Sequence, residues 1–303
     1  MMQKLKYMLK TFHSTYLEVK RTQDILIETK LLTAKTLINS FNYNLNIDIQ
    51  HYEFKIFSQW GDDGIIQYLI HKLDFEHRTF VEFGVENYLE ANSKFLLINN
   101  NWSGYVLDGS TSNVEQIKNS SLYWKYKLQA KDAFITAENI NQLLLESSFG
   151  ENIGILSIDI DGNDYWIWKT IKIKPIVVIV EYNSVFGAQN PWTIPYQAGF
   201  IRNKAHFSNL YYGTSLLSLY NLAQEKGYAF IGCNSAGNNA YFVRKDKLNG
   251  LIPKSCEEGF VDAHFRESRN RAQQLTYLSD GARLDAIKGM PVYNTQNHQE
   301  EQI

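Results

Sequence analysis

From residue 54 onward, short β-rich apolar runs alternate with stretches of helical periodicity. The strand candidates are Thr79–Gly84, Gly104–Asp108, Lys125–Ala130, Ile153–Asp159, Ile176–Glu181, Tyr228–Cys233 and Ala240–Arg244. Helical patterns over Ala91–Asn99, Val114–Asn119, Ala137–Glu146, Asp164–Ile171 and Ser215–Lys226 separate the first six. Strands alternating with helices imply βαβ crossovers and a parallel sheet. Strands four and five are near-continuous apolar runs, as expected for central strands covered on both faces. Only the Gly- and Asn-rich segment Asn234–Asn239 separates the last two, which suits an antiparallel hairpin and is too short for a crossover. The pattern predicts an α/β fold, doubly wound, with a mostly parallel seven-stranded sheet that ends in an antiparallel C-terminal hairpin.

Residues 1–50 read differently. They contain neither Pro nor Gly, and Ile27, Leu31, Ala34 and Ile38 recur at helical spacing. One or two helices are expected, ending near Asn39–Asn46. Seven Lys/Arg stand against four Asp/Glu there, so this part carries +3 of a total of −2, and the rest carries −5. Three readings stay open: a helix that forms a homodimer, a basic helix lying on a membrane surface, and a helix packed on its own domain. The expected division is a helical extension over 1–50, a main domain over 51–295 and a flexible tail over 296–303.

Composition narrows the classes. With 44% apolar and 20% charged residues the chain is not a disordered one. A net charge of −2 gives no electrostatic case for nucleic acid. Cys233 and Cys256 form no CxxC and no Cys/His cluster, against a structural zinc site or a disulfide framework. No run of 18 apolar residues is present, so no transmembrane segment is expected. Lys4, Lys6 and Lys10 precede no apolar stretch of the secretory type, so a cytoplasmic location is expected.

In doubly wound sheets, ligands bind outside the carboxyl ends of the strands, where strand order reverses. Four of the first five strands end in or beside a carboxylate. Strand one carries Glu82 and turns at Gly84, where the backbone can approach a ligand that a Cβ would hold off. Strand two ends at Asp108, placed to accept from ribose hydroxyls. Asp132, Ala133 and Phe134 follow strand three, where a carboxylate can accept from an adenine amino group and a ring can cover it. Each acid is equally suited to cap the next helix. The turn Gly84-Val85-Glu86 lacks the later glycines of a dinucleotide site, and Glu86 has the wrong sign for phosphates.

Strand four carries the densest cluster, Asp159-Ile160-Asp161-Gly162-Asn163-Asp164, and strand five ends Glu181-Tyr182-Asn183. Asp159, Asp161, Glu181 and Asn183 are expected as oxygen ligands for Mg²⁺ if they converge. An Asp-x-Asp also suits the metal–nucleotide site of a glycosyltransferase, and Asp161 or Asn163 equally suits a helix cap. Between Ser184 and Gly213 lie seven aromatic residues with Arg202, Lys204 and His206. They are read as an aromatic lid over a sugar or ring substrate, or as a small subdomain packing its aromatics inward.

Several short elements, in order, resemble the FkbM-type S-adenosylmethionine-dependent methyltransferases. Ser58-Gln59-Trp60-Gly61-Asp62-Asp63 is similar to the family's Ser-Gln-x-Gly-Glu-Asp, and Phe80–Gly84 to its first strand with Glu82 for Asp. Asn92-Ser93 echoes its Ser-Asn-Thr, and Asn101–Gly104 matches its Gly-Trp-x-Gly. Leu107-Asp108 and Leu156–Gly162 match two more elements, the latter with Asp161 for Glu; Pro175 and Glu181 close the likeness. The resemblance implies a class I, Rossmann-like fold with S-adenosylmethionine as cofactor, bound by Gln59, Glu82, Gly84, Asp108, Asp132, Ala133 and Asp159. In that reading Glu82 and Gly84 line the methionine end, Asp108 the ribose, Asp132 the adenine, and Asp159 the transferred methyl. The implied reaction is O-methylation of a small-molecule or glycan acceptor, with Asp159, Glu181 or His206 as base. The alternatives are a non-catalytic Rossmann-like nucleoside- or glycan-binding module and an NAD-linked oxidoreductase.

Overall fold

The computed structural model describes residues 2–45 and 47–303, without the side chains of Met2, Gln3 and Leu5. Met1 and Asn46, part of the N-terminal expectation, lie outside the described residues. The chain falls into two units, Met1–Asn42 and Tyr43–Ile303. The first is one helix, α1 (Met2–Ser40). Its Thr11, Thr22, Thr29, Thr33 and Thr36 hydroxyls donate to the carbonyl one turn back, which satisfies polar groups that would otherwise compete with helix formation.

The second unit runs α2 (Asp62–Lys72), β1 (Thr79–Phe83), α3 (Lys94–Asn100), β2 (Ser103–Asp108), α4 (Thr111–Asn119), α5 (Ser121–Lys125), β3 (Leu128–Asp132) and α6 (Ile140–Leu145). It continues with β4 (Ile155–Ile158), α7 (Asp164–Thr170), β5 (Val177–Glu181), β6 (Trp192–Thr193), α8 (Arg202–Ala205), α9 (Leu216–Lys226), β7 (Tyr228–Cys233) and β8 (Asn239–Arg244). The C-terminal part holds α10 (Cys256–Gly259), α11 (Gly281–Asp285), β9 (Pro291–Asn294) and β10 (Gln299–Gln302). The seven-stranded sheet has the order β3-β2-β1-β4-β5-β8-β7. Its first five strands pair in parallel, and β8 lies antiparallel between β5 and β7. This is the doubly wound, Rossmann-like arrangement expected from the sequence, with order reversing between β1 and β4.

Every residue of β4 and β5 is buried, because helices cover both faces. Val81, Leu107, Leu156, Val178 and Val180 pack there with Trp168 and Leu219. Ser215 caps α9 by accepting from the Ser218 N–H, and Gly227 ends that helix in the left-handed conformation. Strand β3 begins later than expected, since residues 121–125 form α5. Among the described residues no helix is long and apolar enough to cross a membrane.

Two expectations are corrected. Residues 296–303 do not form a free tail: β10 pairs with β9, which pairs with β6, in a separate three-stranded sheet. Of the two readings of 184–213, the open aromatic lid gives way to the small subdomain that packs its aromatics inward. Phe186, Tyr211 and Ile194 are buried with Ile287 and Val292 in a second, smaller core, against which Trp192 and Phe200 pack. The apolar residues of 281–303 supply the other half of that core, a long-range pairing that local periodicity does not reveal.

Candidate active site

A cavity of about 410 Å³ opens at the carboxyl ends of β1, β2, β4 and β5, where the strand order reverses. That volume lies within the usual range for small-molecule sites. Gln59, Glu82, Gly84, Asp108, Ala133 and Asp159 all line it, as do Asp161 and Glu181.

The near wall is built by buried acids that hold loops in place. Asp63 Oδ2 accepts from the backbone N–H groups of Ile56, Phe57 and Ser58, which fixes the segment that presents Gln59. Burial raises the Asp63 pKa to about 6, against the pull of those hydrogen bonds. Asp62 receives hydrogen bonds from Asn234 Nδ2, Asn239 Nδ2 and Tyr241 Oη, tying the start of α2 to the β7–β8 hairpin. Glu82 accepts from the N–H groups of Asn92 and Ser93 and from the Ser93 hydroxyl. It therefore anchors the loop over the cavity as well as lining it.

Gly84 turns with φ +70, and a Cβ there would lie 1.8 Å from the Asp159 carbonyl oxygen. The glycine is required by the close approach of the β1 and β4 turns, not by clearance for a ligand. At the end of β2, Asp108 accepts from the Glu86 N–H at 2.8 Å, the Ser110 N–H at 2.9 Å and Asn113 Nδ2 at 3.0 Å. A carboxylate has about four acceptor positions, so one remains for a ligand hydroxyl.

On the far side, Asp159, Asp161 and Glu181 each offer an oxygen within 4.8 Å of the others. Strand β4 ends at Ile158, so strand alternation does not align the two aspartates; a left-handed turn at Asp161, φ 55, brings it back. Burial raises the pKa of Asp159 and of Glu181 well above the carboxylate range, and neighbouring carboxylates raise both further. Asp164, accepting from the Ile160 and Gly162 N–H groups, is pushed by burial to about 6. Among the described residues one cation faces the group: Arg202 Nη1 lies 2.6 Å from Asp161 Oδ1, and its guanidinium carbon sits 3.6 Å from the Tyr212 ring centroid. Glu181 Oε2 and Asn163 Oδ1 are buried without a hydrogen-bond partner. A second recess of about 320 Å³, lined by Phe134, Phe200, Arg202, Asn209 and Glu267, shares Asp161 with the first. Gly162 admits the Phe200 ring, since a Cβ would meet it at 2.3 Å.

Three expected residues fall outside. Asp132 is absent from the lining; Thr111 donates to it, and its neighbours Ala133 and Phe134 face the cavity instead. Asn183 donates its amide to the Leu210 and Tyr212 carbonyls and accepts from the Val185 N–H, so it clamps a loop, and it is absent from the cavity lining. His206 lines neither recess and pairs with Ser208 Oγ at 2.7 Å. Sequence reasoning missed Asn92, Asn163, Asn238 and Asn239 in the lining. The asparagine-rich hairpin turn was the only local signal for the last two.

No family model and no curated protein matches the chain. Among solved structures, PKMT2 from Rickettsia typhi with AdoHcy matches over 66% of this chain and 56% of its own, with 11% identity and a TM-score of 0.41. The citrinin polyketide synthase CMeT domain matches over 60% and 51%, with 12% identity and a TM-score of 0.39. A S-adenosylmethionine-dependent methyltransferase from Clostridium acetobutylicum matches over 65% and 92%, with 10% identity and a TM-score of 0.38. The chain thus spans about half the length of two of these three structures. The likenesses concern the course of the backbone alone.

Proposed function

We propose that the chain is a S-adenosylmethionine-dependent O-methyltransferase of the FkbM type, acting on a hydroxyl of a carbohydrate-containing acceptor. The observation that carries this reading is the acid cluster of Asp159, Asp161 and Glu181, faced by the single cation Arg202 at the strand-order reversal. Such a site is short of positive charge and favours a cationic ligand over an anionic one. The orphaned Glu181 Oε2 and Asn163 Oδ1 are the buried polar atoms a ligand is expected to satisfy. Glu86 lines the cavity, and residues 85–93 separate β1 from α3, so no helix N-terminus meets the turn. Both features speak against a dinucleotide pyrophosphate.

When bound, the cofactor supplies an electrophilic methyl group on a sulfonium. Asp108 is assigned to the ribose hydroxyls, and Ala133 with Phe134 to the adenine in place of Asp132. Asp159 and Glu181 gain a counter-charge when a cation occupies the cavity, and so ionise. One of them then accepts the proton of the acceptor hydroxyl, which lowers the barrier to attack. Phe134 and Phe200 offer apolar faces beside Asn209 and Glu267, a combination suited to a sugar ring. A divalent cation on Asp159, Asp161 and Glu181 is a second reading, favoured by their convergence; full turnover after chelation removes it.

The test is calorimetry with S-adenosylhomocysteine, together with methyl transfer to a panel of hydroxylated glycans. A hydrogen bond to a charged group contributes about 1.5–3 kcal/mol, so Asp108→Ala should weaken binding roughly tenfold or more. Unchanged affinity sinks the ribose assignment. Binding without transfer to any acceptor would instead support the non-catalytic module.

A further inference from the structure

α1 is amphipathic over its first two thirds. Leu9, Phe12, Tyr16, Val19 and Leu26 recur at spacings of three, four, three and seven, which places them on one stripe. All five are solvent-exposed, Phe12 at 75% and Leu9 at 60%. Lys6, Lys10, His13, Lys20 and Asp24, interrupted by Leu17, form a separate, mostly polar row, about a quarter to a third of a turn away. The charge is uneven along the helix. Residues 4–21 hold Lys4, Lys6, Lys10, Lys20 and Arg21 against Glu18, a net +4, whereas Lys30 and Lys35 are balanced by Asp24 and Glu28 beyond. The exposed apolar stripe and the excess positive charge therefore coincide.

We propose that residues 4–27 of α1 lie in the plane of an anionic phospholipid surface, with the Phe12–Val19 stripe in the acyl boundary and the lysines against the headgroups. An exposed apolar face with basic residues beside it is the composition that binds this way. A second copy of the chain fits less well. The row through Leu9 and Tyr16 continues at seven-residue spacing to Gln23 and Lys30, which interrupts a coiled-coil seam. The flanking positions hold His13, Thr15, Lys20 and Thr22, with no acid to pair across, and parallel copies would set +4 against +4.

Each basic residue near an anionic surface strengthens binding about fivefold, so a net +4 gives several hundredfold over a neutral bilayer. The experiment is flotation of the full chain with phosphatidylcholine vesicles, with and without phosphatidylglycerol. The protein should float with the anionic vesicles only, and leave them in high salt, where charges are screened within a few ångströms. Phe12→Glu with Val19→Glu, and separately Lys6→Glu with Lys10→Glu, should abolish flotation while the melting transition is kept. No flotation, or equal flotation with neutral vesicles, overturns the proposal. So does a dimer seen by light scattering without lipid that the Phe12/Val19 variant dissolves, which would assign the stripe to a second copy.

Discussion

Glu181→Gln tests the acid cluster directly. Glu181 and Asp159 offer oxygens within 4.8 Å of each other. Two full charges at that distance repel by about 3.5 kcal/mol at an effective dielectric of about 20. The folded protein avoids much of this by retaining protons, and burial is the main reason both pKa values rise. A carboxyl whose pKa is raised on folding adds stability below its unfolded value, near 4.3 for Glu, and loses it as pH rises through the folded value. Glutamine is neutral throughout, so the variant should match the parent near pH 4 and exceed it increasingly toward pH 8. We expect a gain of about 2 kcal/mol at pH 8, which moves the melting temperature of a domain this size by roughly 4–8 °C. Scanning calorimetry of both proteins at the two pH values gives the answer. Equal melting temperatures at pH 8, or a less stable variant there, would refute the claim that burial and the neighbouring carboxylates outweigh Arg202 at Glu181. If Glu181 is the base, the same variant loses methyl transfer by roughly 10²–10⁴-fold, a gain in stability at the expense of function.

Two further substitutions probe the scaffold. Gly84→Ala would drive a Cβ to 1.8 Å from the Asp159 carbonyl, at a positive φ, and should cost roughly 3 kcal/mol or more, read as lost soluble protein or a much lower melting temperature. An unperturbed melt would mean the β1 and β4 turns are free to separate. Asp62→Ala leaves the Asn234, Asn239 and Tyr241 donors buried without their acceptor and should cost roughly 3–5 kcal/mol in urea denaturation. A loss below about 1 kcal/mol would show that water replaces the carboxylate.

The main sheet was legible because its signal is local. Val177–Glu181 is apolar at every position but the last, and only a strand covered on both faces supports that. The ends of those strands point to the acids that line the cavity, Glu82, Asp108, Asp159, Asp161 and Glu181. What stayed illegible was long-range. β6 is two residues long and exists only because β9, a hundred residues later, pairs with it. Gly84 looked like clearance for a ligand, but the group that forbids a Cβ is a backbone oxygen of the neighbouring strand's turn. Asp132 ends a strand beside Asp108, as its spacing suggested, yet the turn that follows directs Ala133 and Phe134 to the cavity. Strand registers show which residues lie at the right end, and turn geometry decides which side chains point inward.

The counter-charge to the acid cluster depends on the same long-range packing. Arg202 lies on a four-residue helix too short to be stable alone. Its side chain is fixed from elsewhere: Nε donates to the Asn209 carbonyl, and the guanidinium packs on Tyr212. Tyr212 is held in turn by Asn183, whose amide donates to its carbonyl, and the adjacent Tyr211 hydroxyl donates to the Pro291 carbonyl of β9. The expected metal ligand Asn183 and strand β9 thus share one task, to place Arg202 against Asp161. Arg202 also lowers the pKa values of Asp159 and Glu181, but burial and the neighbouring carboxylates outweigh it there. A neutral or anionic occupant would leave them to hold protons, whereas a positively charged one would let them ionise beside it. Under the proposed function, the charge shortage that makes this part of the fold costly is also what would favour a cationic ligand.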